Sequence, residues 1–158
     1  MAVAVVLINL KIDIDPTMDK FKDMEKRARD FSPVWRWAKR SLERSFSENF
    51  RSGGSLVGGW DPLDVGYASW KRKNHPGNPK LRITGKLFRS VRNLDGGVNK
   101  INKLDATFGT DVEYAKFHQY GTTKMPARKI VFEPAGFSRE LNDKMRDYVV
   151  YGRKGLAT

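Results

Sequence analysis

The chain contains no cysteine and only two histidines among its 158 residues. Disulfide bonds and thiolate metal sites are therefore excluded, and the composition suits a reducing compartment such as a cytoplasm. His75 and His118 lie far apart, and neither stands at a spacing to another His, Asp or Glu that is typical of metal ligands. A Gly-x-Ser-x-Gly nucleophile motif is also missing. We therefore expect no enzymatic activity, no metal and no other cofactor.

Long hydrophobic runs are missing as well. The apolar residues 2–10 are too few to cross a bilayer and follow no basic residue, so we interpret them as a strand and expect no membrane association. The length suits one domain, which we place at residues 1–158. Four glycines between residues 53 and 59, followed by a basic stretch, predict a long flexible loop region over 51–80. Residues 153–158 are expected to be a frayed tail.

Acidic residues are scarce relative to basic ones: 18 Asp and Glu stand against 30 Lys and Arg, giving a net charge of +12. Between residues 70 and 103, ten basic residues face Asp95 alone, and ten minus one gives +9. Such a field attracts polyanions, DNA above all. A solvated, solubilising surface is an equally open interpretation.

A second basic feature is a stripe of three arginines in a predicted helix. Arg36, Arg40 and Arg44 recur every four residues, with Lys39 beside them. Like charges at this spacing cost about 0.2–0.5 kcal/mol per pair, a cost that DNA in a channel or an acidic neighbour in a ring would offset. A solvated face is the interpretation that we favour. Our candidates for residues that face DNA are Arg36, Arg40, Arg44, Lys71, Arg72 and Lys73.

Hydrophobic periodicity predicts the first elements of the fold. Alternating apolar residues over 3–14 predict a strand, and a spacing of three and four residues predicts amphipathic helices over 16–31 and 32–50. Ser32 as N-cap and Pro33 in the first turn open the second helix, but one kinked helix and two separate helices are both compatible with this pattern. A last helix is expected after Pro134, marked by Phe137, Leu141 and Met145 and ended by Gly152.

The middle of the chain predicts short elements. We expect a strand at 81–83, a helix capped by Thr84, and a hairpin turn at 95–97 between strands 90–94 and 98–104. Residues 106–132 are expected to form a strand, a short helix capped by Asp111 that ends at Gly121, a loop and a further strand. The predicted fold class is therefore α+β, with a small, mainly antiparallel sheet packed by two to four helices.

Four blocks of sequence, in order, carry a family resemblance. They are WDPL at 60–63, Tyr67 with Trp70 and Lys71, L-x-x-TG-x-L-x-x-S at 81–90, and FGT-x-VEYAKFHQYGT followed by MPAR over 108–128. Together they resemble the phage virion morphogenesis family, the tail completion proteins of contractile-tailed and related phages.

This resemblance implies a structural protein that completes the tail and joins it to the head. It implies a homo-oligomeric ring, expected to be a hexamer, that contacts the tail tube or tail terminator protein and the head connector protein. Genomic DNA would pass through the ring, which would assemble in the host cytoplasm and stay in the tail or neck of the virion. A free basic nucleic-acid-binding protein is the alternative. The residues expected to make assembly contacts are Trp60, Tyr67, Trp70, Tyr114, His118, Gln119 and Arg128.

Overall fold

The computed structural model describes residues 15–92 and 97–156. Within these ranges it contains six α-helices and one two-stranded antiparallel sheet. The α+β class with a small antiparallel sheet is confirmed, with more helices than expected. The helices are α1 (Asp15–Ala28), α2 (Ser32–Arg51), α3 (Val65–Asn74), α4 (Lys86–Arg92), α5 (Ala115–Tyr120) and α6 (Phe137–Tyr151), the strands are β1 (Asn99–Ile101) and β2 (Ala106–Phe108), and short 3-10 helices cover Ser55–Val57 and Gly152–Leu156.

Helix α2 supplies the largest share of the core. Its buried side chains recur at three and four residues, so one face of the helix is apolar along its whole length. Trp37 is buried on this face, and its ring stacks on that of Phe137 of α6 with 6.2 Å between centroids. Leu42, Phe46 and Phe50 of α2 form the core cluster with residues from four other regions of the chain: Trp60, Leu87 with Val91, Val112 with Ala115, and Ile130.

The junction of α1 and α2 decides between one kinked helix and two separate helices. The helices are separate, because the amide of Phe31 donates to the carbonyl of Lys103 in the hairpin turn at 2.7 Å. Phe31, not Ser32, occupies the N-cap position. The capping function falls to Asp30, whose carboxylate accepts from the amide of Ser32 at 2.9 Å. Hydrogen bonds from Ser32 lower the pKa of Asp30.

The sheet is a hairpin of β1 and β2 in which Lys100 pairs with Thr107. Val98 and Gly109 extend it by exchanging hydrogen bonds of 3.2 and 2.8 Å. The β2 strand is confirmed, and the turn of this hairpin lies at 102–105; most of the turn predicted at 95–97 falls outside the described residues. The predicted strand over 90–94 is wrong at 90–92, which belong to α4 because Leu87 and Val91 bury at helical spacing. Residues 93–96, and the strand predicted over 3–14, lie outside the described residues.

Several predicted extended segments have other conformations. Residues 81–83 are not a strand, because Leu81 has a positive φ of 58° that breaks any ladder. Residues 130–132 are also irregular. Residues 71–74, expected in a basic loop, continue α3, since Asp64 caps that helix and Lys and Arg are good helix formers. Asp111 does not cap α5, which begins only at Ala115.

The region predicted as a flexible loop, 51–80, thus holds a 3-10 helix and α3. The glycine-rich part folds back on itself, with the amide of Trp60 donating to the carbonyl of Gly53 at 2.9 Å. At the C-terminus, α6 ends at Gly152 as predicted. A 3-10 helix then covers most of the tail expected to fray, and residues 157–158 lie outside the described residues.

Candidate functional site

A cleft of about 550 Å³ opens between α3, the irregular segment before α4, and the chain that leaves α5. Its walls are mainly aliphatic and aromatic, and the charged residues in its lining are five cations and one acid, Asp64. The side chains that form the apolar walls are Leu63, Tyr67, Leu81, Ile83, Leu87, Tyr114, Met125 and Pro126, and the cations are Lys71, Arg82, Lys86, Lys124 and Arg128.

Gly121 and Gln119 fix the wall that follows α5. Gly121 ends the helix with φ of 75°, and a Cβ there would lie only 2.8 Å from the amide nitrogen of Ala127. The amide side chain of Gln119 donates to the carbonyl of Val131 at 2.8 Å and accepts from the amides of Ile130 and Val131 at 2.9 and 3.1 Å. One side chain thereby replaces the strand pairing that residues 130–132 lack.

Arg128 ties this wall to the one beside α3. Only 3% of the residue is exposed, and its guanidinium donates to the carbonyls of Asp61 and Pro62 at 3.2 and 2.7 Å. Trp60 makes a parallel connection, because its indole Nε1 donates to the carbonyl of Lys129 at 2.9 Å. The WDPL and MPAR blocks of the sequence are therefore one structural unit.

His118 lies behind the cleft wall and is half-buried. Burial, followed by the nearby charge of Arg128, lowers the pKa of its imidazole. The ring of Tyr114 meets the imidazole edge-on, with 6.1 Å between ring centroids. The backbone carbonyl of His118 accepts from the backbone amide of Arg128 at 2.6 Å. A neutral, packed histidine is the state that this environment favours.

Three cations of the cleft, Lys71, Arg82 and Arg128, bind backbone carbonyls or stack on a ring, whereas Lys86 and Lys124 are exposed. Lys71 is 5% exposed and donates to the carbonyl of Pro79, and its burial lowers the pKa of the ammonium group. Arg82 stacks over the ring of Phe88 at 3.5 Å, and burial together with neighbouring arginines lowers its pKa. In the described part of the chain, no ion pair includes a lysine or arginine of the cleft.

The structure separates the predicted assembly residues into two groups. Trp60, Gln119 and Arg128 make internal connections: Trp60 and Arg128 are buried, and the half-buried Gln119 bonds to the backbone of residues 130 and 131. Tyr67, Tyr114 and His118 line the cleft. Trp70 is not in the lining, but its ring stacks on that of Tyr67 with 5.6 Å between centroids. The sequence analysis missed the rest of the cleft, because Leu81 and Ile83 were interpreted as a strand and Lys124 as part of a loop.

The residues predicted to face DNA also fall into two groups, one exposed and one buried. Arg36, Arg40 and Arg44 are exposed along one face of α2, and Arg72 and Lys73 are exposed on α3. Lys71 does not fit the expectation, because its ammonium group is buried against a carbonyl. We therefore remove Lys71 from the set.

Two further classes of site are missing from residues 15–92 and 97–156. This part of the chain holds no cluster of three or more His, Asp or Glu side chains that could bind a metal ion. None of the helices described is both long and apolar enough to cross a membrane.

The architecture is that of a small α+β protein whose irregular segments are joined by buried cations around an apolar cleft. Residues 12–151 match the model of the phage virion morphogenesis family. Since the match covers nearly the whole chain, the protein belongs to this family. No curated protein and no solved structure matches the chain significantly.

Proposed function

We propose that the protein completes the phage tail and joins it to the head as one subunit of a homo-oligomeric ring around the DNA channel. Family membership supports a structural role in the virion, and the exposed arginine stripe of α2 is the observation that carries the placement around DNA. In this proposal the ring contacts the tail tube or terminator protein on one side and the head connector on the other. It assembles in the host cytoplasm and stays in the neck.

The stripe suits a ring lumen because its charges are solvent-accessible and evenly spaced. The ion pairs of the described residues do not include Arg36, Arg40 or Arg44. The neighbouring Lys39 instead approaches Glu43 at 3.8 Å on the same helix. Phosphates passing through a ring would neutralise such a stripe, whose self-repulsion otherwise destabilises the helix.

The alternative, a free nucleic-acid-binding protein, relies on the basic segment 70–103. Within that segment Lys71, Lys80 and Arg89 donate to backbone carbonyls, the last two at 2.8 and 3.1 Å. Arg82 is stacked on a ring. Lys71, Lys80 and Arg82 therefore serve internal structure, while the other seven basic residues of the segment are exposed. Family membership is what favours the virion role.

Electron microscopy of a lysate made without this protein tests the proposal. We expect filled heads beside unattached tails, and restoration of joined particles when the wild-type protein is supplied. Normally tailed particles in the absence of the protein would refute a joining role. A variant with Arg36, Arg40 and Arg44 replaced by Glu should keep its fold but fail to restore DNA-filled, tailed particles.

A further inference from the structure

The ring of Phe88 on α4 carries two arginine side chains. The guanidinium carbon of Arg82 is 3.5 Å from the ring centroid, and that of Arg92 is 5.6 Å from it. Arg51, the last residue of α2, is also close: burial, followed by the charges of Arg92 and Arg51, lowers the pKa of Arg82. Three cations therefore lie together where α4 packs on α2, and we call Arg51, Arg82 and Arg92 the arginine cluster.

The described residues supply little negative charge to the arginine cluster. Neither Arg82 nor Arg92 forms an ion pair in this part of the chain. The Nε atom of Arg82 is buried and has no hydrogen-bond partner there. Arg51 approaches Glu48 at 2.8 Å, but these side chains are 75% and 47% exposed, so the pair contributes little and can be exchanged. Because a charged donor without a partner and close like charges both cost stability, the cluster indicates an anionic ligand.

Stacking on Phe88 leaves the hydrogen bonds of Arg82 available. A guanidinium group stacks through its flat face, and its N–H donors lie around the edge in a rigid fork. This fork matches the oxygens of a phosphate or a carboxylate. The ring therefore holds one cation in position without using the donors that would bind an anion.

The arginine cluster continues the exposed arginine stripe of α2. Arg51 follows Arg44 by seven residues, about two full turns, so the two side chains lie on the same side of the helix. From Arg36 to Arg51 the helix rises about 22 Å. Arg51 and Arg92 are exposed like the residues of the stripe. A row of cations therefore runs along α2 and ends at the ring of Phe88.

The surroundings of the cluster suit a polyanion better than a single carboxylate. Helix α4 contains no acidic residue, and its other basic side chains, Lys86 and Arg89, are exposed on the same short helix as Arg92. Together with the stripe they produce an extended positive field. Such a field attracts a chain of phosphates more strongly than it attracts one charged side chain.

We propose that the arginine cluster binds a phosphate group of the DNA backbone, an inference that rests on the proposed placement of the α2 stripe along the DNA channel. The stripe contacts phosphates through exposed side chains. The cluster adds a contact in which Phe88 fixes the orientation of Arg82, and in which Arg51 exchanges Glu48 for the phosphate. DNA is thereby held at a defined point beside the end of α2.

The buried Nε of Arg82 provides a direct readout. Because this N–H group is shielded from water, its signal should be visible in an NMR spectrum of the isotope-labelled full chain, where it is assigned by its loss in Arg82→Lys. We expect the signal to shift and saturate as a short DNA duplex is added, and to return when salt is added. The control is Arg27, whose Nε is engaged with the carbonyl of Val149 at 2.7 Å and whose signal should not move.

The variant Arg92→Gln tests the cluster without altering a buried group. We expect the affinity for duplex DNA at low salt to fall about tenfold, and the slope of log affinity against log salt to fall by about 1, because about 0.9 is lost for each phosphate that is no longer neutralised. The matched control is Arg72→Gln, the same change at an exposed position on α3, which should alter the affinity less than about twofold.

The outcomes separate this inference from the proposed function. If the wild-type chain does not bind duplex DNA at low salt, the placement of the α2 stripe along DNA fails, and this inference fails with it. If replacing Arg36, Arg40 and Arg44 by Gln weakens binding, but the Arg82 signal stays fixed and Arg92→Gln binds like wild type, DNA follows the stripe without reaching the cluster. Only this inference is then overturned.

Two other anions are tested in the same titration. A shift of the Arg82 signal with polyglutamate as large as that with DNA would favour an acidic protein neighbour and overturn the inference. Asp95 lies outside the described residues, so the variant Asp95→Asn tests a carboxylate of the chain itself. If this variant alone moves the Arg82 signal and raises the affinity for DNA, the chain's own carboxylate occupies the cluster, which would also overturn the inference. We expect Asp95→Asn to leave the Arg82 signal unchanged until DNA is added.

Discussion

Arg128 is a buried cation whose hydrogen-bond partners are carbonyls. Replacing it by Met should lower the free energy of unfolding by about 2–4 kcal/mol, because the carbonyls of Asp61 and Pro62 lose charged donors in a buried site. Urea denaturation measures this change. The control is Arg72→Met on the exposed face of α3, which should stay within about 0.5 kcal/mol of wild type. Equal losses in the two variants would contradict the connecting role of Arg128.

His118 should make stability depend on pH. Because its folded pKa lies below the ordinary value of 6.5, the unfolded chain takes up the proton first as the pH falls. Its contribution is complete above that value and is lost as the pH drops through the folded pKa. Urea denaturation at pH 7.5 and 5.5 should therefore show a smaller difference for His118→Gln than for wild type. An unchanged difference in His118→Gln would refute the assignment.

Local patterns predicted the helices better than the strands. The spacing of buried residues in α2 and the Gly at the end of α6 are properties of neighbouring residues, so both helices lie within a residue or two of their predicted bounds. Strand formation depends on a distant partner. Leu81 and Ile83 looked like a strand, but the chain there turns through a positive φ and has no neighbour to pair with.

The site was predictable only in part, for a related reason. The sequence blocks identified Tyr67, Tyr114 and His118, which do surround the cleft. They did not reveal that Trp60 and Arg128 point inward, because a Trp or an Arg can serve equally well inside or outside a protein. Their burial follows from backbone carbonyls that the irregular segments leave without partners, and these are visible only in three dimensions.

The turn after α5 gives a prediction at the level of one element. Gly121 and Gly77 have nearly the same φ, 75° and 77°, but only Gly121 lies close to other backbone atoms. Gly77→Ala should cost about 1–2 kcal/mol from its φ alone. Gly121→Ala should cost about 1–3 kcal/mol more, since its Cβ meets the backbone of Met125 and Ala127. Thermal unfolding of both variants checks the difference, and equal shifts would argue against the close approach.

For the whole molecule, the net charge of +12 overstates the charge available to a polyanion. Several cations of the 70–103 segment bind carbonyls or stack on rings, whereas the arginine stripe of α2 is exposed. The two basic regions therefore make different contributions to any binding of DNA.

The salt dependence of duplex DNA binding by the purified protein measures the contribution of each basic region. Replacing Arg36, Arg40 and Arg44 by Gln should reduce the slope of log affinity against log salt by about 2–3, or about 0.9 for each phosphate that an arginine no longer neutralises. Replacing the exposed Arg72 and Lys73 by Gln should change the slope less. The reverse order would favour the free nucleic-acid-binding alternative.

The carbonyl-bound cations also constrain how the sequence can drift. On an exposed surface, one basic residue can be exchanged for another polar residue with little effect, so Arg72 and Lys73 are free to vary among descendants of this chain. At Lys71, Lys80 and Arg128 a substitution must bring another donor to the same carbonyl, or the backbone of the neighbouring segment must change with it. Selection on this basic region would then preserve loop geometry first and charge only as a by-product.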